Sequence, residues 1–304
     1  MVAFQSGIHH LSAIVQDAQR TMDFYEGILG LRLVKKTVNF DDPSVYHLYF
    51  GDKVGTPGTI LTFFPVQAPF GRIGRGQVER ILFQIPPDSS SYWLEYLQTQ
   101  AVPVEQTEYG IWLTDCDGLL LGLIEEESRA AQYWNASTTE ERIAITGFYG
   151  AILDSKDPEH TGAILEALGF QVNEDDKNVM KYQGSAEIGA HIWINKNELK
   201  RGLAGAGTIH HIAFRTPNET DHSLWKDRLT QMGMNSTEVK DRQYFKSIYF
   251  HEPGGILFEI ASDTPGFLID EEIDTLGINL KLPKWLETKR EQIEADLPIL
   301  KRGV

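Results

Sequence analysis

The chain has a single cysteine, Cys116, in 304 residues, so no internal disulfide can form and a reducing, cytoplasmic setting is expected. It lacks any apolar run of the roughly 18 residues that a membrane-spanning helix needs. Its first residues, Met-Val-Ala-Phe-Gln-Ser-Gly, carry neither a basic stretch nor a long apolar core, so no signal peptide is expected. Positive charge is also scarce: 28 Lys and Arg stand against 43 Asp and Glu, a formal net charge of −15. That balance argues against nucleic acid and anionic membranes as partners. What the chain does have is apolar material, 41% of its residues, enough for two cores of ordinary size in a globular intracellular protein.

Two stretches nearly repeat each other, Ser6-Gly7-Ile8-His9-His10-Leu11-Ser12-Ala13 and Gly207-Thr208-Ile209-His210-His211-Ile212-Ala213-Phe214. Similar β-rich openings recur at about Ile8, Val78, Ile145 and Ile209. Helical patterns follow at Thr21–Leu29, Ser91–Gln100, Pro158–Leu168 and Asp221–Met232, three of them stopped by Gly30, Gly169 and Gly233. Closing strands read Thr59–Pro65, Leu119–Glu125, Gly189–Asn195 and Gly255–Ser262. The pattern predicts an α+β fold of four βαβββ modules. Modules at about 6–66 and 76–126 make an N-terminal domain, 1–126, and those at about 144–196 and 207–262 make a C-terminal domain, 144–262. The polar residues 127–143 read as a linker. Residues 263–304 form a tail, and its segment Pro283–Leu297 sets Trp285, Leu286, Ile293 and Leu297 among charges, as a terminal helix covering the fold would.

A buried strand is a costly place for imidazole unless something polar engages it. Adjacent strand residues face opposite sides, so one His of each pair can face a given cavity. One inward His per repeat plus a carboxylate would make a metal site. Glu259, between Phe258 and Ile260, is the carboxylate; the Gly254-Gly255 turn before it leaves Tyr244–His251 and Ile256–Ala261 as an antiparallel hairpin. Two imidazoles and one carboxylate form the facial triad of non-haem Fe(II) oxygenases, and zinc takes the same ligands in hydrolases. Spacing alone leaves both metals open. His47, His191 and His251 lie in other strand-like runs and read as structural, with His251 nearest the site, and Cys116 needs no role.

The four modules, the two Ile-His-His openings and Pro253-Gly254-Gly255-Ile256-Leu257-Phe258-Glu259 resemble the vicinal oxygen chelate superfamily of glyoxalases, bleomycin resistance proteins and extradiol dioxygenases. Within it the chain is most similar to hydroquinone-type ring-cleaving dioxygenases. The resemblance covers nearly the whole chain, including Tyr46-His47-Leu48-Tyr49-Phe50, Gly55–Thr59 and the tail from Pro265 to Leu280. It implies two curved mixed-sheet half-barrel domains, and it implies His10, His211 and Glu259 as metal ligands. Where the catechol-cleaving branch opens its third module with a histidine ligand, this chain has Ile145-Thr146-Gly147-Phe148-Tyr149-Gly150. The first module would supply that ligand instead, so modules one and four are expected to pair around the metal. The implied cofactor is Fe(II), with Mn(II) as the alternative. The implied partners are a small aromatic diol and O₂, in a protein free to form a homodimer. His9 and His210 would face away from the metal yet sit near it, and Ser12 would share the face of His10. Arg242 and Tyr249 would meet a substrate oxygen, with Tyr249 or His210 as proton donor. Two rivals stay open: a glyoxalase-type isomerase or lyase, and a metal-free protein that binds a small molecule. The first is disfavoured because Thr59–Phe64 offers no Glu or Gln, and the second has no need of Glu259 and both His pairs.

Overall fold

The computed structural model describes residues 5–127, 131–135, 138–197 and 199–301. Residues 128–130 and 136–137 of the expected linker, 1–4 of the first domain and 302–304 of the tail lie outside the described residues. The first module runs β1 (Ile8–Val15), α1 (Ala18–Met22), β2 (Arg32–Asn39), β3 (Asp42–Gly51) and β4 (Ile60–Pro65). The second is β5 (Gln77–Ile85), α2 (Ser90–Thr99), β6 (Val104–Gln106), β7 (Ile111–Thr114) and β8 (Leu120–Glu125). The third is β9 (Gly147–Asp154), α3 (Pro158–Ala167), β10 (Gln171–Asp175), β11 (Val179–Gln183) and β12 (His191–Asn195). The fourth is β13 (Thr208–Thr216), α4 (Glu219–Gln231), β14 (Lys240–Asp241), β15 (Lys246–His251) and β16 (Leu257–Ser262). Each module is thus βαβββ.

Local chemistry sets the helix starts. Asp17, Asp157 and Asn218 accept backbone N–H bonds as caps of α1, α3 and α4, and Pro158 begins α3 without an N–H to satisfy. The first helix departs from the α pattern after Met22: Asp23–Ile28 is a π-turn, with Leu29 N–H bonded to Phe24 C=O. On α4, Trp225 and Leu229 are four residues apart and buried against the sheet, worth roughly 1.5–3 kcal/mol each.

The sixteen strands of the described residues form two eight-stranded mixed sheets, one of them curled as a half-barrel. Their orders are β14-β15-β16-β13-β1-β4-β3-β2 and β10-β11-β12-β9-β5-β8-β7-β6. The first module therefore shares a sheet with the fourth, and the second with the third. The division into sequential pairs, 1–126 and 144–262, does not describe the sheets. Each opening strand already has its own closing strand on one side, parallel to it, and its other edge is met by an opening strand from across the molecule. The chain crosses between sheets twice, and the two crossings run together through bridges Phe70–Ala206, Arg72–Leu203 and Arg75–Arg201.

The tail covers β2, the edge strand of the first sheet. Lys36 bridges Leu280, Thr37 Oγ1 donates to Lys281 C=O, and Tyr46 OH donates to Pro298 C=O. Lys35, fully buried, pairs with Asp270 at 2.6 Å and Glu271 at 2.5 Å. The expected terminal helix is shorter than Pro283–Leu297: a 3₁₀ turn at Glu287–Lys289 leads into α5 (Arg290–Asp296). The first turns close three residues back, Leu286 N–H on Pro283 C=O and Lys289 N–H on Leu286 C=O, while Leu286, Ile293 and Leu297 still bury their side chains. Among the described residues no helix is long and apolar enough to cross a membrane.

Candidate metal centre

His10 on β1, His211 on β13 and Glu259 on β16 converge from three adjacent strands. His10 Nε2 and His211 Nε2 lie 3.1 Å apart, and Glu259 Oε2 lies 3.2 Å from the first and 3.0 Å from the second. Glu259 Oε1 accepts from Ser247 Oγ at 2.5 Å, but Oε2 is buried with no hydrogen bond aligned on it. Burial alone would raise the Glu259 carboxyl, yet His10 and His211 beside it hold it well below the usual range. The three atoms lie close enough together to hold a metal ion. Metal–ligand bonds of about 2.1 Å at right angles put donors about 3 Å apart, and tetrahedral angles put them about 3.4 Å apart. The three separations lie within the range that one metal ion spans between its ligands.

The histidine pairs owe their geometry to two β-bulges. The β1–β13 register pairs Ile8 with Phe214 and His10 with Ala213, which makes His9 the extra residue on β1. It then pairs Ser12 with His211 and Ala13 with Ile209, which makes His210 the extra residue on β13. The bulges turn neighbouring rings edge to face, so that His9 Nδ1 meets His10 Nδ1 at 3.0 Å and His210 Nδ1 meets His211 Nδ1 at 2.7 Å. Each contact occupies Nδ1 of the inner ring and leaves its Nε2 for a metal.

His10 and His211 border a cavity of about 430 Å³ whose walls include Phe40, Phe64, Phe245, Tyr49 and Tyr249. Tyr249 is the ladder partner of Glu259, and its ring stands edge-on to His211 at 5.6 Å. Burial and the Glu259 carboxylate push its phenol above the ordinary tyrosine range. Arg242 Nε donates to Tyr249 OH at 3.3 Å, and both terminal nitrogens reach Asp41 Oδ2 at 3.1 Å across the mouth.

The sequence profile of the Glyoxalase/Bleomycin resistance protein/Dioxygenase superfamily matches residues 7–108 and 136–260. The chain belongs to that superfamily. Among its relatives, the Bacillus subtilis (strain 168) protein named "Putative ring-cleaving dioxygenase MhqE" is 42% identical over 300 residues, covering 97% of this chain and 99% of the relative. The chlorohydroquinone/hydroquinone 1,2-dioxygenase of Sphingobium indicum is 32% identical over 305 residues, covering 94% of each. A crystal structure titled "putative dioxygenase" from Bacillus subtilis superposes with a TM-score of 0.95 at 42% identity, covering 99% of both chains.

Within this superfamily fold, the residues singled out in the sequence divide. Arg242, Tyr249 and His210 line the cavity with His10 and His211. His210 thus borders the cavity instead of facing away. His9 does turn away: it borders a separate cavity of about 200 Å³, with its ring 5.2 Å from Phe245. Ser12 is fully buried behind the cavity wall and bonds Thr62 Oγ1 at 2.7 Å. His191 stacks on Tyr149 at 4.1 Å in the other sheet, and His251 is exposed at the end of β15. Sequence reasoning missed His47, Tyr49 and Asp41. The first two lie two apart on β3, a spacing that puts them on one face, but nothing local says that this face lines a cavity.

Proposed function

We propose that this chain is an Fe(II)-dependent extradiol-type ring-cleaving dioxygenase acting on hydroquinone-like or catechol-like aromatic diols. The observation that carries the reading is the His10–His211–Glu259 cluster, whose two histidines border a cavity walled by aromatic rings and large enough for a small aromatic ligand. The names of the relatives support it. Fe(II) held there would lower the pKa of a ring hydroxyl and give ring electrons a route to O₂.

The protein's own residues do the rest. His9 and His210 fix the tautomers of the two liganding rings through Nδ1. Phe40, Phe64 and Phe245 flank an aromatic ring and keep water from it. Tyr249, held protonated by burial, is a proton donor beside His211, and Arg242 occupies its oxygen so that its O–H is free to turn to the substrate. His210, on the same wall, is the second donor. Ser12 acts from behind the wall through Thr62. Among the described residues, no fourth His, Cys, Asp or Glu joins the three, which counts against the isomerase reading.

The test is oxygen uptake by protein loaded anaerobically with Fe(II) and given hydroquinones or catechols. One O₂ consumed per ring, with loss of both uptake and iron in His10→Ala, is the expected result. No uptake with any aromatic diol from fully iron-loaded protein would overturn the reading, as would equal iron binding by His10→Ala.

A further inference from the structure

We propose that Tyr49, oriented by His47, receives the substrate hydroxyl that is not at the metal and so sets which diol the cavity accepts. This rests on the reading above that the substrate is an aromatic diol. The Tyr49 hydroxyl has one hydrogen-bond partner among the described residues, His47 Nδ1 at 2.9 Å. A phenol offers one donor and accepts as well, so capacity remains for a ligand in the cavity that Tyr49 lines.

His47 is not free to turn. Its Nε2 meets Thr62 Oγ1 at 2.9 Å, and Thr62 meets Ser12 Oγ at 2.7 Å. Its ring is held between those of Tyr49 and Phe64, each with its centroid 4.1 Å away. The chain Ser12–Thr62–His47–Tyr49 thus runs from the strand that carries His10 across β4 to β3, ending at a phenol on the cavity wall. A neutral imidazole has one N–H, so this chain runs in one of two directions. With the proton on Nδ1, Tyr49 accepts from His47 and offers its own O–H. With the proton on Nε2, Tyr49 donates to His47 and accepts an O–H from the ligand. Either direction satisfies a hydroxyl, and neither satisfies a methyl group.

Position decides which hydroxyl. β3 lies two strands from β1, about 10 Å along the sheet. Phe245 spans the interval, with its ring centroid 5.0 Å from that of His10 and 6.4 Å from that of Tyr49. A ring lying along Phe245 with one oxygen at His10 and His211 points its opposite carbon toward Tyr49. The oxygens of a para-diol sit across the ring and span that bed, while those of an ortho-diol sit side by side at its metal end. Arg242 and Tyr249 line the same cavity from β15 and the turn before it, and Arg242 reaches across to Asp41 beside β3, so substitution of Tyr49 itself separates its hold on the far oxygen from theirs.

The experiment measures equilibrium binding by calorimetry to Fe(II)-loaded protein under anaerobic conditions, with hydroquinone, 4-methylphenol and catechol as probes. Wild type should bind hydroquinone about tenfold more tightly than 4-methylphenol, the worth of one neutral hydrogen bond. Tyr49→Phe should bring that ratio close to one and leave catechol affinity unchanged. Thr62→Val, two bonds away, should lower the ratio in part, and Thr62→Ser should restore it, which a mere loss of packing would not do. A preference that survives in Tyr49→Phe overturns the assignment and leaves the dioxygenase reading standing. So does a wild type with no preference, or a loss in Tyr49→Phe that is equal for catechol. A wild type that binds none of the three overturns the diol reading, and this inference with it.

Discussion

Glu259→Gln removes the one anionic donor of the metal triangle while keeping its size. The glutamine oxygen can still accept from Ser247, and its NH₂ can donate to the two Nε2 atoms that face Glu259 Oε2. At free metal 100 times the Kd, binding stabilises the folded wild type by about 2.7 kcal/mol. A chain of this size gains roughly 2 °C in Tm per kcal/mol, so Fe(II) or Mn(II) should raise the wild-type Tm by about 5 °C. Loss of one of three protein ligands weakens binding by at least about 100-fold, since even an outer partner is worth 10–100-fold. The same metal then supplies about 0.4 kcal/mol, and the shift falls to about 1 °C. Without metal the two should differ little: burying the carboxylate is costly, but His10 and His211 beside it offset that cost, so metal-free Glu259→Gln should melt within about 4 °C of metal-free wild type. Thermal melts of both proteins with chelator and with metal read all four values. An unchanged metal shift in the variant refutes the ligand role. A metal-free variant that melts more than about 4 °C lower, or 2 kcal/mol, shows that Glu259 is instead a structural partner of the imidazoles.

Three other outcomes follow from the same geometry. Burial and the nearby Glu79 push the Asp154 carboxyl up to about 7, while the unfolded chain titrates it near 3.9. The fold then holds a proton that the unfolded chain gives up, so stability is lost as pH rises from about 4 to about 7. Asp154→Asn should therefore gain more Tm over wild type at pH 8 than at pH 5, and an equal gain at both would count against it. Lys35→Met leaves Asp270 and Glu271 without their buried cation and should cost about 3–5 kcal/mol. It should also open the chain beyond residue 263 to limited proteolysis, and unchanged protection would refute the role of Lys35 as anchor of the tail. Tyr249→Phe should keep its iron and lose about 100-fold in kcat, and an unaltered kcat would move the proton-donor role to His210.

Much of this was legible where the signal is local. The strand openings, glycine stops and closing strands lie within a few residues of where the four modules place them, because each depends on neighbours in the chain. The His10, His211 and Glu259 set was readable for a different reason: a polar side chain inside an apolar strand needs a partner, whichever strand supplies it. The bulges were not readable. They arise from the pairing of β1 with β13, two hundred residues apart, and strand alternation alone does not tell that His210 borders the cavity while His9 borders another. The same holds for Arg242, which looks like one charge in the run Lys240-Asp241-Arg242 until the fold sets Asp41 and Tyr249 beside it.

Four similar modules build two sheets, yet among the described residues the candidate metal cluster lies on one sheet alone, and side-chain volume explains why. The face of the second sheet turned from the main core is filled. Arg80 sits 4.7 Å over the Trp112 ring, and Lys181 sits 5.2 Å from both Tyr109 and Trp193. Trp112 lies so close over Gly122 that a Cβ there would come within 2.4 Å of the ring. Its opening strands, β5 and β9, carry no histidine, and their neighbours spend the space on cation–aromatic contacts. In the first sheet the corresponding face carries short polar pairs in place of large stacked rings: Ser247 with Glu259, His9 with His10, His210 with His211. The crossings at Phe70–Ala206 and Arg72–Leu203 join the two sheets by their backbones, so the filled sheet is a fixed support against which the open one keeps three donors within 3.2 Å of one another.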